Sequence, residues 1–171
     1  MRVTRFGVYS LSKSVHARPR MSNERGQSLL EFAVAVPILM LIVTGIATFG
    51  IAFNQTLVLT DAVAIGGRYL AVSRSNTLDP CSDVSKAVRS AASSLTPANL
   101  QLTLNLYDSS GNSKGSSSGA ASAFSCPSLA PNLTQNGSAQ LRATYPCRLA
   151  VFGGNLIPSC NLSTQITEVI Q

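Results

Sequence analysis

Histidine occurs once in this 171-residue chain, at His16; tryptophan is absent, and charged residues make up only 12%. A single imidazole so near the N-terminus excludes a Ser-His-Asp or Cys-His nucleophilic device in the rest of the chain. The four cysteines, Cys81, Cys126, Cys147 and Cys160, show no C-x-x-C spacing and have no second histidine to join them, which argues against a zinc site. No phosphate-binding loop is present either. Gly66-Gly67-Arg68-Tyr69-Leu70 and Gly115-Ser116-Ser117-Ser118-Gly119 lack the strand-to-helix context and the lysine that such a loop needs. Asp79 and Asp83 read as a loop residue and a helix-start residue rather than as a general acid–base pair. These absences point away from an enzyme, a metal, a cofactor and a small-molecule substrate.

The net charge of +6 invites a nucleic-acid reading until its distribution is read. Residues 1–26 hold Arg2, Arg5, Lys13, Arg18, Arg20 and Arg25 against Glu24 alone, whereas the remainder carries seven basic and six acidic side chains. The basicity belongs to the N-terminal segment, so a basic surface for nucleic acid is not expected.

An apolar run behind that segment dominates the chain. From Phe32 to Phe53 there is no charged residue for 22 positions. At 1.5 Å rise per residue this is about 33 Å of helix, enough for a hydrocarbon core of about 30 Å. A buried core helix is usually shorter and has one polar face. A secretory signal has an apolar region of about 7–15 residues followed by a small-residue cleavage site, but here the run is longer and the small residue, Gly26, precedes it. A membrane span fits best. The basic segment beside it predicts a cytoplasmic N-terminus and an extracytoplasmic C-terminal part. All four cysteines fall on that outer side, where an even number suggests two disulfides. Three connectivities are open. Cys81–Cys126 with Cys147–Cys160 is preferred, because the second pair closes a short loop between two strand-like runs.

The order of residues at the head of the span carries a resemblance. Gly26-Gln27-Ser28-Leu29-Leu30-Glu31-Phe32 resembles the processing motif of type IV pilin-like precursors of the Flp/Tad branch. The wider stretch from Arg25 to Arg74, with Pro37, Phe49-Gly50, Asp61-Ala62 and Gly66-Gly67-Arg68-Tyr69, resembles TadE-like proteins, the minor pseudopilins of tight-adherence pili. The resemblance implies a cut after Gly26 by a prepilin peptidase, with Gln27 as the new N-terminus and Glu31 as the fifth residue of the mature chain. It also implies that Glu31 pairs with the amino terminus of a neighbouring subunit. An ionised carboxylate at an apolar edge is costly without such a partner. The expected divisions are a basic leader over 1–26, a transmembrane helix over 27–53, its continuation over 54–73 and an extracytoplasmic domain over 74–171. Met21 would serve as an alternative start, giving a six-residue leader. Expected partners are the prepilin peptidase, other pilins or pseudopilins, the pilus assembly platform and the membrane.

Beyond the span, the apolar set Val58, Ala62, Ile65, Tyr69 and Val72 repeats at three and four and predicts the helix face that packs on the outer domain. Gly66-Gly67 costs about 1 kcal/mol each in helix propensity relative to Ala, which a close approach of a strand would explain. A breaker at 74–81 precedes a second helix, capped by Ser82 or Asp83 and ending near Thr96-Pro97, with Val84, Ala87, Val88, Ala91, Ala92 and Leu95 as its apolar stripe. Leu100, Leu102, Leu104 and Leu106 alternate with polar residues and define a half-buried strand. Asp108 to Ser122, rich in Gly and Ser, reads as a flexible exposed loop. Strands are expected over 139–145 and 147–152, interrupted by Pro146, then a turn at Gly153-Gly154-Asn155 and a last strand over 162–170. The fold class is α+β: a long N-terminal membrane-spanning helix, a small helix and an antiparallel sheet in a pilin-like outer domain. Three Asn-x-Ser/Thr matches (Asn132, Asn136, Asn161) arise easily in a Ser- and Asn-rich chain and carry no weight. The preferred function is assembly of a Flp/Tad-type pilus used in adhesion or secretion. The alternative is an uncleaved, signal-anchored envelope protein whose outer domain binds a partner; a membrane-tethered hydrolase comes last.

Overall fold

The structure, a computed structural model, describes residues 24–171 apart from 75, 148, 152, 153 and 156. Helix α1 is described over Glu24–Val72, 49 residues, and includes Gly26, Gln27 and Glu31. It continues through Pro37, whose missing N–H leaves the Ala33 carbonyl without its usual partner. The chain divides into two units, 1–39 and 40–171, and α1 contributes to both. The described part of the first unit is helix alone.

The second unit holds everything else. Its elements after α1 are α2 (Pro80–Ala91), β1 (Gln101–Tyr107), β2 (Ser113–Ala120), a 3₁₀ turn (Pro127–Asn132), β3 (Ser138–Pro146), β4 (Ala150–Val151), β5 (Gly154–Asn155) and β6 (Asn161–Val169). Four strands form one antiparallel sheet in the order β2-β1-β3-β6, and β4 and β5 form a separate two-stranded hairpin. The β3–β6 register is constant from Ser138↔Val169 to Pro146↔Asn161. Alternation decides the faces. Leu102, Leu104 and Leu106 of β1 and Ala139, Leu141, Ala143 and Tyr145 of β3 are buried against Leu59, Ala62, Val63 and Leu70 of α1 and Val84 and Val88 of α2. Ile170 closes the far end of this core, and the Gln171 N–H donates to the Ala71 carbonyl at 2.9 Å. That bond satisfies one of the carbonyls a helix leaves open at its C-terminus. The Ser73 hydroxyl does the same for Tyr69 at 2.5 Å.

Several expectations are corrected. The packing face of α1 is Leu59, Ala62, Val63, Gly66, Gly67 and Leu70; of the expected stripe only Ala62 is fully buried, and Ile65, Tyr69 and Val72 are exposed. The glycines explain the shift. A Cβ on Gly66 would stand 2.7 Å from Val88 Cγ2 and 2.9 Å from Leu141 Cδ2, and one on Gly67 2.8 Å from Ile166 Cγ2. The helix lies against α2 and strands β3 and β6 at the residues that have no side chain, so the close approach is the reason for the pair. Helix α2 is capped by Asp79, not by Ser82 or Asp83, and ends at Ala91, where the Ala92 N–H still reaches the Val88 carbonyl before the chain turns. The stretch 108–122 is not a flexible loop: β2 pairs with β1 from Ala120 back to Ser113. Its inner positions are small because other side chains fill the space. Leu129 occupies the position a Gly115 side chain would take, and Phe124 lies against Gly119. β3 includes Pro146 rather than stopping before it, and Gly154-Asn155 is strand β5 rather than turn. Of the expected 147–152 strand, Phe152 lies outside the described residues, as does Gly153.

The disulfides are Cys81–Cys126 and Cys147–Cys160, with sequence separations of 45 and 13. In the chain-entropy picture such loops are worth about 4 and 3 kcal/mol respectively, a useful addition for a small domain.

Candidate functional site

The head of α1 holds the residues of the motif. Gly26 and Gln27 lie in its first turn, and Ser28, Glu31 and Phe32 come after them on the same helix. Positions 27 and 31 are four apart and so share a helix face, about 6 Å apart along the axis. Glu31 is exposed, and nothing charged lies between it and Asp61. The Gly26–Gln27 bond is helical, and the glycine lowers helix propensity there by about 1 kcal/mol relative to Ala.

Behind Glu31 the helix is apolar on every side and covered by nothing in the described residues. Leu29 is 71% exposed, Phe32 70% and Phe53 66%, and the apolar side chains between them are exposed apart from Val36 and Ala52, which are half-buried. A soluble core helix buries such residues. The two hydroxyls within the run are satisfied internally: Thr44 donates to the Met40 carbonyl at 2.8 Å and Thr48 to the Thr44 carbonyl at 2.5 Å. Such back-bonding lets a polar side chain sit in hydrocarbon. From Ser28 the helix is long and apolar enough to cross a membrane, a candidate membrane anchor. Gly45 and Gly50 face open space, so the described chain places no helix against them.

Among the described residues, the second unit has one dense polar cluster, which sequence reasoning missed. Asp79 Oδ1 accepts from the Ser82 N–H at 3.1 Å and the Cys126 N–H at 2.7 Å, and Oδ2 from the Ser125 hydroxyl at 2.5 Å. Partial burial works to raise its carboxyl, but the hydrogen bonds from Ser125, Cys126, Ser82 and Cys81 outweigh this and hold it below the ordinary 3.8. Thr77 donates to Asp83 Oδ2 at 2.7 Å, and Lys86 meets Asp83 Oδ1 at 3.0 Å. Asp79 is thus a helix cap that also ties α2 to the Cys126 segment, beside the disulfide joining the same two segments. The signal was the Asp-Pro step: a capping residue followed by proline at the first helical position. Asp79, Cys81 and Cys126 are the one group of three potential metal-binding residues among the described residues. Both sulfurs are held in the disulfide and the carboxylate oxygens already accept three hydrogen bonds, so the group offers no ligand set. Asp79 and Asp83 serve as helix-start acceptors, not as an acid–base pair.

The comparisons bear on the helix and not on the rest of the domain. No curated protein and no solved structure matches the chain. Residues 26–68 match the family described as TadE-like protein, a segment that opens on Gly26 and closes one residue after Gly67. The likeness to the TadE-like family is confined to residues 26–68, the helix from Gly26 to the residue after Gly67.

Proposed function

We propose that the protein is a minor pseudopilin of a Flp/Tad-type pilus, acting in assembly for adhesion or secretion and carrying no catalysis of its own. Residues 1–26 are its leader, cut after Gly26 by a prepilin peptidase. The helix from Gln27 anchors the product in the inner membrane, with the N-terminus cytoplasmic and the domain from 74 onward periplasmic, the position from which assembly moves it toward the cell surface. The cut gives Gln27 an α-amino group. Glu31 pairs with that group on a neighbouring pilin or pseudopilin, so that both charges are neutralised as the helix leaves lipid for a protein-lined setting. The peptidase, the other pilus subunits, the assembly platform and the membrane are its partners.

One observation carries the reading. Gly26 and Glu31 stand at the head of a helix whose succeeding apolar surface is uncovered, and that helix continues directly into a disulfide-bonded α+β domain. A helix with a single carboxylate at its mouth and no side-chain cover needs lipid or other helices around it. The test is the N-terminal sequence of the membrane-extracted protein, read by mass spectrometry in cells with and without their prepilin peptidase. An N-terminus at Gln27 that disappears without the peptidase is expected. An N-terminus unchanged between the two strains would overturn processing and leave a signal-anchored binding protein.

A further inference from the structure

The four-stranded sheet has two edges, β2 and β6, and they are built differently. The β2 edge is blunted. Its register shifts at Leu106/Tyr107, it holds Lys114 and Gly115, and Asn132 Nδ2 donates to the Lys114 carbonyl at 2.8 Å. Bulges, lysines and covered backbone groups are the means by which a sheet closes an edge to other chains. β6 has none of them. It is nine residues long, against about 5–6 in an ordinary strand. It contains no proline, glycine or lysine, and its register against β3 never shifts.

The Cys147 N–H donates to the Cys160 carbonyl and the Ile170 N–H to the Gly137 carbonyl, so the even-numbered residues of β6 turn their backbone groups toward β3. The N–H and C=O of Ser163, Gln165, Thr167 and Val169 therefore point out of the sheet, and none of them has a hydrogen-bond partner among the described residues. They repeat about every 6.8 Å, two strand rises, and another extended backbone matches that spacing. The α1 side of the edge leaves room for its side chains. Gly67 lies against Ile166 and Glu168, and Thr60, Ala64 and Ala71 share its arc of the helix at spacings of three and four. All four are small. Glu168, the one charge on β6, is half-buried and has no ion-pair partner among the described residues.

A second copy fits this edge badly. Ile51 and Gln55 share a cleft with Tyr145 and Pro146, Gly66 lies against Leu141, and the Ala71 carbonyl meets the Gln171 N–H, so α1 and β6 run in the same direction. Pairing two β6 strands antiparallel would point their α1 helices opposite ways, which one bilayer does not allow. Pairing them parallel across a two-fold would set N–H against N–H at each level. We propose that β6 is a docking edge for an extended segment of a different polypeptide. The segment adds as a fifth strand, antiparallel because that pairing is the more stable per residue. It sets alternate apolar side chains over the small arc of α1 and brings a lysine or arginine to Glu168. The choice of a different chain rests on α1 crossing the bilayer; the open edge does not.

The probe is a fluorescein-labelled peptide, Lys-Thr-Val-Thr-Val-Thr-Val, whose lysine meets Glu168 and whose valines meet Ile166, Thr164 and Leu162 in that pairing. A second peptide carries glutamate in place of the lysine. Fluorescence anisotropy is read with the full chain in phosphatidylcholine nanodiscs, whose lipid has no net charge to attract the lysine. The lysine peptide should bind, and the glutamate peptide should bind about fivefold more weakly. Gln165→Pro removes an outward N–H and no ladder bond, so it should keep the parent melting temperature and weaken binding by about fivefold or more. Ser118→Pro, in the outward series of β2 that includes Lys114, should leave binding unchanged. Glu168→Lys should reverse the preference between the two peptides, a readout that does not depend on a proline variant folding. No binding by the parent, equal binding by a folded Gln165→Pro variant, or no reversal by Glu168→Lys overturns the docking edge and leaves processing at Gly26 untouched. Energy transfer between two labelled copies in one nanodisc that Gln165→Pro abolishes overturns the choice of a different polypeptide.

Discussion

Replacing Asp79 by alanine should be among the most damaging single changes in the α+β unit, although the residue is only half-buried. The loss has two parts. The Ser82 N–H loses its cap acceptor, which typically costs about 1 kcal/mol and ranges over about 0.5–2. The Cys126 N–H, on a buried residue, loses its acceptor as well, and an orphaned buried donor costs about 1–3 kcal/mol. The exposed Ser125 hydroxyl can turn to water and adds little. The sum is about 2–4 kcal/mol, and at about 4–8 °C per kcal/mol for a domain of this size the melting temperature of the full chain in detergent should fall by more than 8 °C. Asp79→Asn keeps one acceptor oxygen and should lose about half as much. Circular dichroism melts at neutral pH decide the matter. A Tm for Asp79→Ala within about 2 °C of the parent would mean that the disulfide alone positions α2 and that the carboxylate bridge is incidental.

The same carboxylate predicts a pH dependence. Its folded pKa lies below the ordinary 3.8, so the stability it contributes is complete above that value and is lost as the pH falls through the folded value. Asp83, held down first by the Thr77 hydrogen bond and then by Lys86, acts in the same direction. The parent protein should lose stability as pH drops below about 4, and Asp79→Ala should show a shallower acid limb.

Single contacts set three further outcomes. Gly66→Ala gains about 1 kcal/mol of helix propensity but drives a Cβ into Val88 and Leu141, both fully buried; overpacking costs about 1–3 kcal/mol, so chemical denaturation should show a net loss, and a gain would refute the close approach. Gly67→Ala presses instead on the half-buried Ile166 at the sheet edge, which can move, and should be milder. Hydrogen bonds at Cys147–Cys160 and Gly137–Ile170 give the even-numbered residues of β6 the inward-facing backbone groups. Gln165→Pro should therefore be tolerated in thermal melts and Ile166→Pro should not; equal losses would contradict the register. Glu31→Gln should leave the N-terminus at Gln27 intact while reducing in-cell crosslinking to other pilus subunits; unchanged crosslinking would sink the pairing role.

The sequence was most legible where one physical cause dominated. A long run without charge can hardly be anything but an exposed or a buried helix, and β1 alternates because one face meets the core and the other water. β2 was illegible for the opposite reason. An edge strand needs side chains only where the core asks for them, and Leu129 and Phe124 already fill the space over Gly115 and Gly119. Both of those residues lie in a later segment, so a Gly/Ser composition that reads as loop locally is a strand globally. The Asp79 bridge was half visible. Asp-Pro announces a helix start, but nothing nearby announces that Cys126, 47 residues on, supplies a second donor to the same oxygen.

The packing face of α1 shows why period alone could not settle orientation. Both Val58, Ala62, Ile65, Tyr69, Val72 and Leu59, Ala62, Val63, Leu70 repeat as a helix does, and both are apolar. Hydrophobic burial weakly separates two such stripes, since each offers similar area at about 25 cal/mol per Å². Steric access separates them strongly. Two adjacent glycines open one arc to within van der Waals reach of Val88, Leu141 and Ile166, and no arc carrying Cβ atoms could come so near. The sheet therefore settles over Gly66-Gly67, and the larger residues Ile65, Tyr69 and Val72 are turned outward. The missing side chains that lower helix propensity are thus what orients the helix. The segment similar to the TadE-like family, ending at Arg68, includes both the uncharged apolar run and this docking point; one helix thus carries the candidate span and the glycine seat on which the sheet rests.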